Sequence, residues 1–261
     1  MYHMASSKKE IDNDILSLNA IHTVLEAYEE IASIRMRRTK AYVLRNREFL
    51  EGLNMVFARV KNSYKKEIQV LMSKEESSKI KKEIAVLLSA NTGLFGSILE
   101  DAFNVFYKYV SSSQCDIMII GKMGQVMYES MPNKKKFIYF DMEENTKDSY
   151  NVKPIVETLV MYENVNVFHG EFQDILHQIP TMTALTGEGK DIQYLGQDDD
   201  VRSIFEPELK KVLDFFKSQI LSALFEQTMY ESTLSKYTSR MISLDKASSD
   251  VSRMLEKSKL A

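Results

Sequence analysis

The nonapeptide SANTGLFGS, residues 89–97, stands where a phosphate-binding loop would stand, after an apolar run and before a segment of helical spacing. Such loops use glycines to bring backbone N–H groups close to phosphate, and in the P-loop version a lysine follows the last glycine. That lysine is absent here, and Gly93 and Gly96 do not complete a G-x-G-x-x-G pattern. A structural turn that needs glycine's positive φ accounts for the same residues. The four histidines, His3, His22, His169 and His177, include no i, i+4 pair bracketing an acid, so no metal site is expected from them, although His169 and His177 are close enough to meet in a fold. Cys115 is the only cysteine, which excludes an internal disulfide and a cysteine-rich zinc site; it opens an apolar run with no activating neighbour and reads as inert. DMEEN (141–145) and GQDDD (196–200) lack the alternating frame of a calcium loop and read as solvated turns. No catalytic set, cofactor or metal is expected.

A second chemistry is charge. EAYEEIASIRMRRTK (26–40) gathers Arg35, Arg37, Arg38 and Lys40 around Met36, with three acids ahead of them and no helix breaker. The whole chain carries a net charge of −3 with pI near 5.9, which argues against a general polyanion binder, so nucleic acid is not an expected partner and the cluster is local. No apolar run reaches the roughly 20 residues that a bilayer span needs, so no direct membrane insertion is expected.

The helix breakers show which elements must position these groups. All four prolines and eight of the nine glycines lie between Gly93 and Pro207. The two ends therefore read as long helices and the middle as a segment that turns often. Glu208 to Ala261 holds no breaker, about 80 Å of helix at 1.5 Å per residue, and Pro207 suits its first turn. From Leu213 this segment keeps an unbroken heptad. One seam position is Leu213, Ile220, Gln227, Leu234, Met241, Ser248 and Leu255; the other is Phe216, Ala223, Tyr230, Tyr237, Leu244, Val251 and Ser258. A repeat of 3.5 residues sustained this far implies supercoiling against another helix. The N-terminal stretch offers Ile11, Ile15, Leu18, Ile21, Leu25, Tyr28, Ala32, Val43, Leu50, Leu53, Phe57 and Val60, with a phase shift near the basic cluster. An antiparallel pairing of the two ends, with the middle inserted between them, is the simplest arrangement.

Within the middle, EIAVLLSAN (83–91), CDIMIIGKMG (115–124), KFIYFDM (136–142) and VNVFHGEF (165–172) read as strands, and SILEDAFNVFYKYV (97–110) and VKPIVETLVMYE (152–163) as helices. Continuous apolar strands alternating with helices imply a parallel sheet covered on both faces. The expected fold is α/β: a long antiparallel coiled coil, residues 1–66 with 207–261, carrying at one end a small Rossmann-like domain, residues 67–206.

Several strings resemble, in the same order along residues 8 to 255, the gamma subunit of F-type ATP synthases. They are KKEIDNDILSL, the EAYEEIASIRMRRTK segment with Ala27, Glu29, Ala32, Met36 and Arg37 in matching places, LLSANTGLFGSI, CDIMIIGKMGQVMYES, QIPTMTAL, IFEPELKKVLD and YTSRMISLDKASSD. The resemblance implies a noncatalytic central shaft on the cytoplasmic side of a membrane. Its expected partners are alpha- and beta-type subunits, an epsilon- or delta-like small stalk subunit, and a membrane rotor ring. It further implies that Arg35, Met36, Arg37 and Arg38 contact the catalytic ring, and that Leu213, Phe216, Ile220, Leu234, Tyr237, Met241, Leu244 and Val251 form the shaft's seam. The chain departs from the family at Asn91 and Thr92, which replace an Asp-Arg pair, at Leu25, Glu26 and Glu30, and in an end at Ala261 short of the family's usual terminus. Two other functions fit the residues: a coiled-coil adaptor of another assembly, or a nucleotide-binding α/β domain with a dimerising coiled coil.

Overall fold

A computed structural model describes residues 2–63, 83–141, 152–186 and 209–260. The elements are α1 (Tyr2–Ser63), β1 (Glu83–Leu88), α2 (Ile98–Ser112), β2 (Asp116–Ile120), α3 (Lys122–Ser130), β3 (Ile138–Phe140), α4 (Lys153–Leu159), β4 (Asn164–Phe172), β5 (Gln178–Ala184) and α5 (Leu209–Leu260). The domain boundaries expected near residues 66 and 206, Pro207, the GQDDD string and all of DMEEN beyond Asp141 lie outside the described residues.

The sheet order is β3-β2-β1-β4-β5, parallel from β3 through β4 and closed by antiparallel β5. The central strands are apolar on both sides because both sides are covered. Ile84, Val86 and Leu88 join Met118, Ile120, Val165 and Val167 under α4 and a stretch of α5. Ala85, Leu87, Ile117 and Ile119 face Phe103 and Phe106 of α2 and Tyr128 of α3. The doubly covered α/β sheet is as expected. Two elements are new. Helix α3 begins directly after Gly121, whose φ of +101° and whose approach to Ala90, where a Cβ would lie 2.8 Å from the backbone nitrogen, admit only glycine. β5 is an antiparallel edge strand, and edge position is what allows Pro180, opposite Gly170, to sit inside a strand.

Local chemistry fixes the helix ends. Glu100 and Asp101 stand in the first turn of α2, where the helix dipole favours acids. At its other end Lys135 Nζ donates to the carbonyls of Val110 and Ser113 at 2.7 and 2.6 Å, satisfying groups the helix leaves open. Pro154 lies in the first turn of α4, where its missing N–H costs nothing.

Helices α1 and α5 run antiparallel. Residues of rising number on α1 meet residues of falling number on α5: His22 with Ser252, Arg35 with Tyr237, Asn46 with Gln227, Phe57 with Phe216. The phase shift expected on α1 does not occur. Its inward residues run Ile11, Ile15, Leu18, His22, Leu25, Glu29, Ala32, Met36, Thr39, Val43, Asn46, Leu50, Leu53 and Phe57, alternating steps of four and three, and every one is buried or half-buried. Ile21 and Tyr28, apolar but off this seam, are exposed. The α/β domain does not sit at one end of the pair. It packs along α5 from Leu221 to Ser243, and the coiled coil continues past it in both directions.

Candidate functional site

The seam on α5 comes first because everything else hangs from it. Phe216, Ile220, Leu234, Tyr237 and Leu244 are buried, and Leu213, Met241 and Val251 are half-buried. Aromatic pairs knit the two helices, with Tyr42 stacked on Tyr230 at 5.5 Å and Phe57 against Phe216 at 5.6 Å between ring centroids. Gln227 and Ser248, polar residues that dilute the α5 seam, find polar partners on α1. Gln227 Oε1 accepts from Asn46 Nδ2 at 3.2 Å, and His22 Nε2 lies 3.3 Å from Ser248 Oγ and 2.9 Å from Ser252 Oγ. Such in-seam pairs fix register at some cost in stability.

The basic cluster divides between two sides of α1. Arg35 donates from Nη1 to Tyr237 Oη at 2.8 Å and lies over that ring, and Met36 packs on the cluster of Phe95, Ile98, Leu99 and Tyr237. Arg37 and Arg38 are exposed. At 100° per residue, neighbouring residues must face different ways, so a run of four cannot share one contact. Further toward the N-terminus, Ile21, Val24, Tyr28 and Ile31 form an exposed apolar stripe at spacings of three and four. Helix α1 thus offers one face to α5 and an apolar stripe to its surroundings, which Arg38, seven residues after Ile31, continues, while Arg37 projects outward about 120° around the helix from it.

The glycine turn holds α5 rather than an open phosphate site. In a doubly wound sheet a nucleotide would lie beyond the carboxyl ends of the strands, at the switch point between β1 and β4. Here α5 fills that place. Lys236, 4% exposed, donates from Nζ to the Ser89 carbonyl at 2.8 Å. Ser239 Oγ donates to the Phe95 carbonyl at 2.7 Å, and Arg240 donates to Thr92 Oγ1 at 3.0 Å and to the Gly93 carbonyl. The Arg240 guanidinium lies 3.8 Å from the Phe95 ring centroid. Gly96, at φ +60°, approaches so closely that a Cβ would meet Ser239 Oγ at 2.7 Å; Gly170 leaves similar room for Ser235, 2.9 Å from where its Cβ would be. Lys236, Arg240 and Ser239 were not legible as functional positions, since a lysine, an arginine and a serine on a long helix read as solvated.

The remaining sequence candidates are occupied structurally. His169 is buried on β4, its Nε2 2.9 Å from Thr183 Oγ1 and its Nδ1 3.1 Å from the Gly170 carbonyl, and burial holds its pKa below the ordinary histidine value. His177 pairs instead with Asp174 at 2.9 Å on the β4–β5 turn, so the two histidines do not form a pair with each other. Cys115 is buried, and burial, with Glu83 nearby, pushes its thiol up, away from the reactive thiolate. Asp141 accepts from Asn91 Nδ2 at 2.7 Å. At the opposite, N-terminal end of the central strands Tyr109 donates to Glu83, which also accepts from Asn166 at 2.7 Å, and burial followed by the Glu83 bond pushes the Tyr109 phenol up to about 12. Among the described residues no three histidines, cysteines or acids are placed to share a metal ion, and no helix is long and apolar enough to cross a membrane.

The chain as a whole is similar to known proteins. The ATP synthase gamma chain of Ruthia magnifica subsp. Calyptogena magnifica is 23% identical over 266 residues, covering 97% of this chain and 90% of the relative. That of Cytophaga hutchinsonii is 23% identical over 274 residues with the same coverage. In fold, the chain is similar to one in the cryo-EM structure of the Tetrahymena thermophila mitochondrial ATP synthase central stalk and c-ring, with a TM-score of 0.61 at 16% identity, covering 86% of this chain and 99% of that one. A sequence profile described as ATP synthase matches residues 7–261, and by that match the chain belongs to the ATP synthase family.

Proposed function

We propose that this chain is the noncatalytic central-stalk rotor subunit of an F-type rotary ATPase, passing rotation between a ring of alpha- and beta-type subunits and the machinery below it. The output is ATP synthesis coupled to proton transport, or a diverged one such as motility. The observation that carries the reading is the outward side of α1: a continuous helix, held against α5 from His22 to Phe57, that presents a stripe of exposed Ile21, Val24, Tyr28 and Ile31 continued by exposed Arg38, with exposed Arg37 beside it. Cations on flexible stems along a stiff rod can exchange partners during a turn without deep pockets, and they add orientation more than affinity. Arg37 and Arg38 are the residues proposed to meet acidic segments of the ring; Arg35 and Met36 act beneath them by holding α1 to α5. A small epsilon- or delta-like stalk subunit and a membrane rotor ring would bind the other end of the shaft, placing the chain peripherally on the cytoplasmic side. ATP chemistry resides in the partners. Mass spectrometry of the complex purified through this chain from its native source tests the reading: alpha- and beta-type subunits in stoichiometric amounts support it, and their absence overturns it. Saturable micromolar ATP or NAD binding by the isolated chain would overturn its noncatalytic part.

A further inference from the structure

Among the described residues, helix α5 is joined to the α/β domain by attachments of two kinds. Leu221, Phe225 and Met229 rest on one face of the sheet, an apolar seat whose attraction has no preferred direction. Farther along the helix the grip on the β1–α2 turn is directional: Lys236 Nζ to the Ser89 carbonyl, and Arg240 to Thr92 and Gly93 while stacked on Phe95. Eleven and fifteen residues of helix separate Phe225 from Lys236 and Arg240, which places the grip roughly 16–22 Å from the middle of the seat. Turning α5 by about 20° displaces an atom about 6 Å from its axis by roughly 2 Å, enough to break a hydrogen bond, whereas an apolar seat slides and keeps most of its area. Close approach at Gly96, where Ser239 and Ser243 fill the space a Cβ would need, leaves the turn no slack.

We propose that Lys236 and Arg240 are the positioning residues that carry twisting load between the coiled coil and the α/β domain. The seat supplies adhesion and the grip supplies torsional stiffness. This rests on the central-stalk reading, because load has meaning only in a rotor. The grip also reaches α1, since Tyr237, between Lys236 and Arg240 in sequence, meets both Phe95 of the turn and Arg35 of α1.

The test has two stages. In the full chain with Cys115→Ser, spin labels at exposed Val126 on α3 and Asp245 on α5 report the distance between domain and shaft. The Lys236→Met and Arg240→Gln variants, separately and together, should broaden that distance distribution, about twofold for the pair, while the exposed control Lys246→Gln leaves it unchanged. Leu221→Ala in the seat should lower the unfolding midpoint without broadening it. In the complex reconstituted with alpha- and beta-type subunits, a bead on residue 126 with the ring halted should show angular variance about twofold larger for the paired variant. An unchanged distribution in a folded variant, equal broadening from Leu221→Ala, or broadening in the chain with unchanged variance in the complex would each overturn the assignment. Failure of the wild-type chain to assemble removes the rotor reading and the load with it, and the distance widths then report separately whether the grip itself exists.

Discussion

Arg35 of α1 and Tyr237 of α5, far apart in the sequence, are joined by a 2.8 Å hydrogen bond across the coiled coil, with the guanidinium carbon 5.5 Å from the ring centroid. The same ring meets Phe95 edge-on at 6.1 Å, and Arg240 lies over Phe95. Four side chains from α1, α5 and the β1–α2 turn therefore form one column, two rings packed edge-on between two cations. This column is where the shaft and the α/β domain become one body. It also decides which arginines of the basic cluster are free to face a partner.

Replacing Arg35 by glutamine should therefore act on folding. It removes one side-chain hydrogen bond and a half-buried cation–ring contact, a loss of about 1–2 kcal/mol. Arg37→Gln with Arg38→Gln should shift stability by no more than about 0.5 kcal/mol, as is usual for exposed positions, and should instead change turnover or torque of the assembled complex at low salt. Urea unfolding of both variants, followed by ATPase measurement after reconstitution, separates the roles. Equal destabilisation by both sets would place Arg37 and Arg38 in the seam as well.

What could be read from the sequence depended on which residues occupied the seams. On α5 the repeat is mostly apolar and its heptad is legible from Leu213 onward. On α1 the same repeat is hidden, because His22, Glu29, Thr39 and Asn46 hold seam positions while Ile21, Tyr28 and Ile31 face outward. Hydrophobic periodicity follows the wrong residues there, and a false phase shift results. The parallel strands were legible as continuous apolar runs; β5 was not, since Gln178, Pro180 and Thr181 resemble a loop until an edge position is known. The grip of Lys236 and Arg240 has no local signature at all, because its partners are backbone carbonyls and a turn hydroxyl nearly 150 residues away.

Stability should fall on both flanks of neutrality. His169 has its pKa lowered by burial, so the unfolded chain takes up a proton that the folded chain resists. Its contribution is present above the ordinary histidine value and is lost as pH falls below it. Tyr109 and Tyr162 are pushed the other way, each from 10.0 to about 12 by burial and by hydrogen bonds to Glu83 and Asp116. Their contribution is whole below pH 10 and is lost as pH rises from 10 to 12. Urea midpoints across the pH range should show the acid slope reduced by His169→Gln and the alkaline slope reduced by Tyr109→Phe with Tyr162→Phe. Unaltered slopes would show that other groups dominate.

The glycine turn gives a test of its closeness to α5. Gly96 has φ +60° and no room for a Cβ, whereas Gly93 in the same turn has nothing within 4 Å of where a Cβ would be. Gly96→Ala should cost about 1–3 kcal/mol, from the left-handed backbone and from displacement of Ser239. Gly93→Ala should stay within about 0.5 kcal/mol. Thermal or urea unfolding of the two variants suffices, and similar midpoints would mean that the turn does not press on α5.

The polar pair in the seam makes a sharper prediction about register. Asn46 Nδ2 donates to Gln227 Oε1 and, at 2.9 Å, to the Ala223 carbonyl; Gln227 in turn donates to Glu231 at 2.6 Å, which Arg47 holds at 2.9 Å. Asn46→Leu alone leaves Gln227 short of a partner in a buried position and should cost about 1–3 kcal/mol. Changing Asn46 and Gln227 together to leucine removes both unsatisfied groups, so stability should recover or exceed that of the parent. Specificity should not recover, because leucine accepts any seam position and the asparagine was what distinguished one heptad from the next. Cysteines at Leu53 and Ile220, in a Cys115→Ser background, would trap the native register; Leu53 with Leu213 would trap a slip of one heptad. The parent should crosslink only in the first pair and the double-leucine chain in both. If the double-leucine chain keeps the single native crosslink, register is set elsewhere, and the Arg35–Tyr237 contact becomes the residue pair to break next.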